Sequence, residues 1–326
     1  MISETILLVG HGSREAAGND EILAFAQQWR QRQPGWSIEV CFIEFSEITM
    51  SEGLRRAAAQ SARVIVVPLI LNAAGHVKMD IPQAIDAARL KFPLVQFFYT
   101  PQLSACEQLL SVVKRRLKSA MQTLDMPDPT TTGVVLLGRG SSDRHANGEM
   151  AKMARWVMEE TDHELVDVAF TGITYPRLEK AVQRQSLLGM TQIVVLPYYL
   201  FNGTLVARIE RQVENLKAQY PTIRLTSTAY FGFEREIFEV LEQRVGDVKR
   251  GAPDALMACD GCKFRDFAVE HGQGGHHHDD AVPHSHEHDH GHAHADSHAH
   301  GHEHGHDHPH GDHAHPHVHA HTGVPS

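Results

Sequence analysis

The chain has few cysteines and no long apolar run. Four cysteines in 326 residues are too few for a disulfide framework, which excludes a disulfide-stapled secreted scaffold. The longest apolar stretches, Val64–Leu71 and Ile193–Phe201, are strand-sized and each contains a proline, so neither is long enough to cross a membrane. The N-terminus has no basic region followed by a long apolar core. We therefore expect no signal peptide, no membrane partner and a cytoplasmic location.

Net charge is also nearly absent from residues 1–270, where 32 acidic side chains are set against 30 basic ones. A protein that binds nucleic acid needs a basic surface to neutralise the phosphates. This balance provides none, and we expect no nucleic-acid partner.

The remaining segment, 271–326, has no Lys or Arg but holds 22 of the 26 histidines. They alternate with Asp, Glu, Ala, Gly and Pro, and too few apolar residues are present to form a core. We therefore predict a disordered tail. Closely spaced neutral imidazoles are good ligands for Co, Ni and Zn, so we expect the tail to bind such ions and to buffer or deliver them.

The first 250 residues contain an internal repeat, which is the strongest organisational signal in the chain. Matching segments are separated by 128, 129 and 131 residues: Ile6–Ser13 with Val134–Ser141, Val64–Leu71 with Ile193–Leu200, and Tyr99 with Tyr230. Two similar domains are therefore expected.

Strands rich in Val, Ile and Leu alternate with amphipathic helices in each half. This pattern predicts an α/β fold of two domains, each a mainly parallel sheet flanked by helices, facing each other across a cleft. Ligands of parallel sheets bind beyond the carboxyl ends of the strands, so the turns there should surround one pocket. The predicted boundaries are 1–125 and 133–250 for the two domains, 251–270 for a Cys-x-x-Cys segment, and 271–326 for the tail.

Two of the four histidines outside the tail follow strands of the first half. His11 comes directly after the first predicted strand and His76 just past the third. The aligned positions of the second half are Arg139 and Leu205, so only one domain has the imidazole pair. A lone loop histidine is usually a hydrogen-bonded surface residue, but two on one strand-end face indicate a functional site.

A carboxylate completes this candidate site. Glu44 follows the predicted strand Ile38–Ile43, whose end should lie at the same mouth. Glu47 is close enough in sequence to compete for the role, and a surface acid is the plain alternative.

The residues around these three positions resemble a known family. The GHGS turn at His11, the IEF segment at Glu44 and PLILNAAGHVKMDIP around His76 are similar to the class II chelatases. The whole chain, with its tail and an M-x-C-x-x-C motif at Met257–Cys262, is most similar to the long, two-domain sirohydrochlorin cobaltochelatases of anaerobic cobalamin biosynthesis. The resemblance implies a metal–tetrapyrrole lyase that inserts Co(II) into sirohydrochlorin, with His11 and His76 as metal-handling pair and Glu44 as active-site acid.

The spacing of Cys259 and Cys262 suits zinc, an iron–sulfur cluster or a redox dithiol. The resemblance favours the iron–sulfur cluster. Cys41 and Cys106 are expected in a strand and a helix as buried apolar residues, so four thiolates would require a second chain or other ligands. A homodimer is left open.

Sirohydrochlorin is a polyanion, and its pocket needs hydrogen-bond donors. Turn amides that open a helix suit carboxylate oxygens. Candidate side-chain donors are Ser13, Arg14, Lys78, Arg139 and Ser141. Helix capping and surface solvation are the alternatives for each of them. If Arg139 binds a substrate acid, Arg139→Ala should raise KM far more than it lowers kcat.

Three rival functions stay open at this point. The same fold and site would serve insertion of iron or nickel into the same tetrapyrrole. A metal-storage protein or metallochaperone would use the domains mainly to present the tail, although a pure buffer needs no strand-end histidine pair. A phosphate-handling enzyme with His11 as nucleophile ranks last, because Gly10 and not Arg precedes that histidine.

Overall fold

The computed structural model describes residues 4–124, 128–263, 265 and 270. The predicted tail, 271–326, and its expected metal binding lie outside the described residues. Within the described part, no helix is long and apolar enough to span a bilayer.

Two four-stranded, all-parallel sheets form the framework, in the orders β2-β1-β3-β4 and β6-β5-β7-β8. Their central strands are buried on both faces, as expected for sheets covered by helices on each side. The strands are β1 Thr5–Gly10, β2 Ser37–Phe42, β3 Arg63–Pro68, β4 Gln96–Tyr99, β5 Thr132–Gly138, β6 Val166–Phe170, β7 Gln192–Pro197 and β8 Arg224–Ser227. The predicted α/β class and the two parallel sheets flanked by helices are confirmed.

Within the described residues, eight α-helices cover the sheets: α1 Ala16–Arg32, α2 Met50–Gln60, α3 Ile81–Lys91, α4 Glu107–Met121, α5 Arg144–Glu159, α6 Leu178–Leu187, α7 Thr204–Gln219 and α8 Arg235–Arg250. A π-helical turn, His76–Asp80, leads into α3. The apolar residues of the α-helices recur at helical spacing. Helix α8, for example, buries Phe238, Leu241, Val245 and Val248 on one face.

The structure corrects the sequence alignment of the two halves at one place. Val66 pairs with Tyr99 in the first sheet, whereas its counterpart Val195 pairs with Ser227 in the second. Tyr99 therefore corresponds to Ser227 and not to Tyr230. β8 stops at Ser227, so Tyr230 lies beyond the end of the sheet.

The third strands were predicted too long. β3 ends at Pro68 and β7 at Pro197, and the residues that follow form turns. A proline has no N–H to continue the ladder, so each is confined to the strand end. The turns that bear the site therefore begin earlier than the apolar run suggests.

The last helix of each half packs against the sheet of the other half. α4 lies on β7, and α8 lies on β3. Phe25 of α1 stacks on Phe238 of α8, with ring centroids 4.0 Å apart and an angle of 2° between planes. One apolar core therefore lies between the two sheets and is shared by both halves, while the other face of each sheet has its own cluster.

Candidate active site

Three side chains of the first half converge at the carboxyl ends of β1, β2 and β3. One ligand-type atom from each of His11, Glu44 and His76 lies within 4.8 Å of the other two. His11 Nδ1 is 3.5 Å and His76 Nε2 is 3.8 Å from the same oxygen, Glu44 Oε1. All three are half-buried, so a hydrated ion can reach them. Among the described residues this is the one group of three or more such side chains placed to hold a metal ion.

The turn after β1 explains why Glu44 lies so close to His11. Gly12 adopts φ +91°, and a Cβ there would lie 1.8 Å from the carbonyl oxygen of Glu44. The Glu44 N–H in turn donates to the His11 carbonyl over 3.2 Å. Only glycine permits this contact between the two loops.

The two imidazoles are held in different ways. His11 Nδ1 lies 3.1 Å from the Gly12 carbonyl, which can only accept, so that contact places the proton on Nδ1. His76 Nδ1 donates to Asp80 over 2.6 Å, which leaves the Nε2 lone pair toward Glu44. Their ring centroids are 4.8 Å apart and nearly perpendicular.

Asp80 is a residue that sequence reasoning missed. The available signal was its position four residues after His76, since residues at that spacing meet on one helix face. Metal-binding histidines commonly donate their second N–H to a carboxylate, which orients the ring and increases its basicity. Asp80 occupies that place here.

The surroundings shift the pKa values of the two histidines in opposite directions. Burial lowers the pKa of His11, and neighbouring His76 and Arg139 add to that effect. The hydrogen bond that His76 donates to Asp80 raises the pKa of His76 against the opposing effect of burial. His11 is therefore the imidazole that stays neutral, and His76 is the one that more readily holds a proton.

The second half replaces the whole cluster. In the repeat, Arg139 is equivalent to His11 and Gly172 to Glu44. The Gly172 N–H donates to the Arg139 carbonyl just as the Glu44 N–H donates to the His11 carbonyl. Leu205 stands where the first half has His76. Arg139 Nη1 also reaches across to His11 Nε2 at 3.5 Å. The strand-end faces of the halves therefore meet at Arg139.

Ser13 and Ser141 have local roles in their turns. The amide of each donates to an asparagine six residues on, Asn19 or Asn147, and that side chain donates back to the serine carbonyl. Each hydroxyl accepts a backbone N–H two residues ahead. These amides are therefore satisfied internally, contrary to the expectation that they are free for carboxylates. The repeated Ser-x5-Asn spacing was a visible signal for this arrangement.

Lys78 spans the two halves instead of standing free. Its ammonium forms a short ion pair with Asp143, the N-cap of α5. Burial alone would raise the pKa of Asp143, but hydrogen bonds from Lys78 and the His145 N–H hold it below its ordinary value. A substrate carboxylate would have to displace Asp143 to reach this lysine.

Arg14 lies at the rim of the site with its guanidinium carbon 4.9 Å from the centroid of the Phe45 ring. Phe45 is 45% exposed and has φ +54°; its counterpart Ile173 is 58% exposed with φ +63°. Left-handed backbone is unusual for such residues, and it turns an apolar side chain outward in both halves. Glu47, the competing acid, is not part of the metal-type cluster.

The Cys259 segment is anchored to the first domain. The Met257 N–H donates to Tyr99 of edge strand β4 over 2.8 Å, and Arg89 binds both carboxylate oxygens of Asp260 at 2.7 and 2.8 Å. Arg265 donates to the Cys259 carbonyl. Burial raises the pKa of the Cys259 thiol.

One chain does not bring four thiols together here. Cys41 is buried in β2, at the opposite edge of the sheet from β4 and about 14 Å away at ordinary strand spacing. Cys106 lies at the start of α4. Cys259 and Cys262 thus provide two thiolates, which is half of a four-thiolate cluster set.

Comparisons with known proteins agree with this architecture. A sirohydrochlorin cobaltochelatase of Priestia megaterium is 37% identical over 271 residues, covering 82% of this chain and 87% of that protein. A sirohydrochlorin ferrochelatase of Bacillus subtilis is 32% identical over 248 residues, covering 75% of this chain and 91% of that protein. The solved structure of SirB from Bacillus subtilis with Fe3+ has a TM-score of 0.66 and 30% identity, covering 76% of this chain and 98% of the SirB chain.

The CbiX family model matches the chain twice, at residues 5–120 and 133–248. Each match contains one of the two parallel sheets. The chain therefore belongs to the CbiX family, with one family unit in each half.

Proposed function

We propose that this protein is a chelatase that inserts Co(II) into sirohydrochlorin. The observation that carries the proposal is the cluster of His11, Glu44 and His76 at the open edge between the halves. Imidazole and carboxylate suit a divalent transition ion, and an accessible cluster suits an ion that must leave again. The likeness to a cobaltochelatase over four fifths of the chain supports cobalt as the metal and sirohydrochlorin as the ring.

The geometry supports a division of labour among the three side chains. His11, kept neutral by burial, and the Glu44 carboxylate receive the hydrated ion. His76, oriented by Asp80, is the third ligand of the arriving ion, and once the ion has passed to the ring its imidazole is the better acceptor for a pyrrolic proton. Holding the ring and the ion in one cleft supplies orientation, which lowers the entropic part of the barrier.

Iron is the second candidate metal, because the chain is also 32% identical to a ferrochelatase that acts on the same tetrapyrrole. Anaerobic insertion assays with sirohydrochlorin and Co(II), Fe(II) or Ni(II), followed by absorbance, decide between them. We expect the highest kcat/KM with Co(II). A higher value with Fe(II) would make the protein a ferrochelatase, and no insertion of any metal would favour the metal-storage alternative.

The tail is proposed to supply metal to the site. Tethered ligands raise the local ion concentration, so the effect should appear only when metal is scarce. A chain ending at Glu270 should match the full chain at saturating Co(II) and fall behind it when Co(II) is buffered to low levels. Equal rates at both levels would remove this role from the tail.

An iron–sulfur cluster at Cys259 and Cys262 is proposed only as one shared by two copies, since one chain offers two thiolates there. Protein purified anaerobically should then elute as a homodimer with bound iron and sulfide, and Cys259→Ser should yield a monomer without bound sulfide. A monomeric wild type with a full complement of iron would require other ligands. The cytoplasmic location stays a prediction from sequence.

A further inference from the structure

The second half keeps the shape of the first half's metal site but has replaced its chemistry. Arg139, Gly172 and Leu205 stand where the first half has two imidazoles and a carboxylate. None of them is a ligand for a divalent cation. The turn geometry is the same, since Gly140 at φ +86° packs on the Gly172 carbonyl as Gly12 packs on that of Glu44.

A second arginine, Arg177, lies at this strand-end face of the second half. Phe170 bridges to Arg177 as Phe42 bridges to Thr49, so a guanidinium has replaced a hydroxyl at this position of the repeat. A Cβ on Gly172 would lie 3.9 Å from Arg177 Nη1. The guanidinium therefore occupies the space beside the position of the missing carboxylate.

Arg177 Nη1 is buried and has no hydrogen-bond partner among the described residues. Its guanidinium carbon lies 4.7 Å from the centroid of the Tyr175 ring, which holds the group in place. A buried charged donor without an acceptor is costly, and native proteins usually provide the missing partner. The partner expected here is an anion.

Polar side chains also stand at this strand-end edge where the first half has apolar ones: Thr171 directly follows β6 and Tyr199 follows β7. The hydroxyls of Thr171 and Tyr199 are 2.8 Å apart, whereas their counterparts are Ile43 and Ile70. Burial raises the pKa of Tyr199 to about 12, against the opposing effects of the Thr171 hydrogen bond and the charges of Arg139 and Arg208. Tyr199 is therefore a protonated donor.

The arginines of this pocket are unbalanced by acids. Within the described part of the chain, Arg139, Arg177 and Arg208 form no ion pair with a carboxylate. Other arginines of the protein do: Arg115 and Arg116, for example, share Glu234. Arg139 and Arg208 are exposed and can be solvated, so the buried Arg177 Nη1 is the group whose missing partner has to be supplied by a ligand.

We infer that Arg139, Thr171, Arg177, Tyr199 and Arg208 form a carboxylate-binding subsite, here named the arginine subsite, that holds a peripheral carboxylate of the tetrapyrrole. The inference rests on the proposed function for its ligand. Arg139 lies 3.5 Å from His11, so an acid bound here places the ring beside the metal cluster. The second half would thus bind the anionic substrate at the positions where the first half binds the metal ion.

Arg177 gives the sharpest test, because it does not contact the metal cluster. Metal-free full-length protein is titrated with sirohydrochlorin and with its octamethyl ester, following absorbance in one cosolvent. Arg177→Gln should raise the Kd of the acid about ten- to a hundredfold, as expected on removing a charged donor, and leave that of the ester unchanged. Arg177→Lys should recover part of the loss. In turnover, KM should rise while kcat at saturation changes by less than about threefold.

Arg155→Gln is the matched control, since Arg155 is exposed on α5 and paired with Glu159. Co(II) binding measured by calorimetry should be the same for wild type, Arg177→Gln and the control. Equal losses of acid and ester binding, or a parallel loss of Co(II) affinity, would overturn the inference. If Arg177→Gln does not fold, Arg208→Gln is judged by the same acid-to-ester comparison.

The two proposals fail in distinguishable ways. A wild type that binds the acid through Arg177 but inserts no metal refutes the proposed function and leaves the arginine subsite standing. Metal insertion with unchanged acid binding in Arg177→Gln refutes the subsite alone. Competition by inorganic phosphate at equal strength would identify a general anion site instead of a carboxylate site.

Discussion

At the residue scale, the paired histidines differ in their partners and not in their position. Both lie at strand ends of one sheet, but His11 is bonded to a backbone carbonyl and His76 to the carboxylate of Asp80. Burial lowers the pKa of His11 despite its bond to the Gly12 carbonyl, whereas the hydrogen bond to Asp80 raises the pKa of His76. Sequence alone could place the histidines at one edge, but their partners depend on loop geometry that a residue pattern does not encode.

Asp80→Asn tests the role of the carboxylate behind His76. Metal must compete with protons for this imidazole, so Co(II) binding is lost as the pH falls through the raised pKa of His76. Removing the charge lowers that pKa, and the loss should move to lower pH. At neutral pH the affinity should still fall about ten- to a hundredfold, because the ring loses its orienting partner.

Calorimetric titration of Co(II) at a series of pH values checks both effects. Asp86→Asn is the control, since this α3 carboxylate binds Arg89 and Arg265 away from the cluster. If Co(II) binding by Asp80→Asn is lost at the same pH as in wild type, Asp80 does not control the pKa of His76.

At the element scale, the exchange of α4 and α8 between the sheets is the main feature that the sequence did not reveal. The repeat predicted two parallel sheets flanked by helices, but amphipathic periodicity shows only that a helix has a buried face. It does not say which sheet covers that face. Tyr230 shows the same limit, since its apparent match to Tyr99 is displaced by three residues from the true register.

Phe238→Ala tests whether α8 holds the two sheets together. Phe238 is fully buried against Phe25 of the first half, and emptying such a site typically costs about 3–5 kcal/mol. We expect that loss in the free energy of unfolding, measured by denaturant titration, with both halves still unfolding in one transition.

Leu94→Ala is the matched control, because Leu94 is 91% exposed and its loss should cost less than about 0.5 kcal/mol. If Phe238→Ala instead split the transition into an unchanged phase and a weakened phase, the halves would be independent. The shared core would then contribute little to stability.

At the scale of the whole molecule, the two halves form one apolar core with different chemistry at each strand-end face. The first half presents a metal-type cluster and the second presents arginines. The predicted cleft and the confinement of the imidazole pair to one half could be read from the repeat. The replacement of Glu44 by Gly172 and the unpartnered Arg177 required the structure, because loop residues align poorly by sequence.

Neither half should fold alone if the exchanged helices matter. Fragment 1–124 would expose the apolar face of α4, which packs on the missing β7. We expect this fragment and fragment 128–270 to be aggregated or molten when produced singly, and to recover native circular dichroism when produced together. A cooperative thermal transition for fragment 1–124 alone would contradict this view.

The central claim is that the metal chemistry belongs to the first half alone. It is tested most directly by single-turnover insertion of Co(II) into sirohydrochlorin, comparing His11→Ala/His76→Ala with His145→Ala, which removes an exposed histidine of the second half. We predict at least a hundredfold slower insertion for the double variant, with unchanged sirohydrochlorin binding, and a wild-type rate for the control. Undiminished insertion by the double variant would contradict the account.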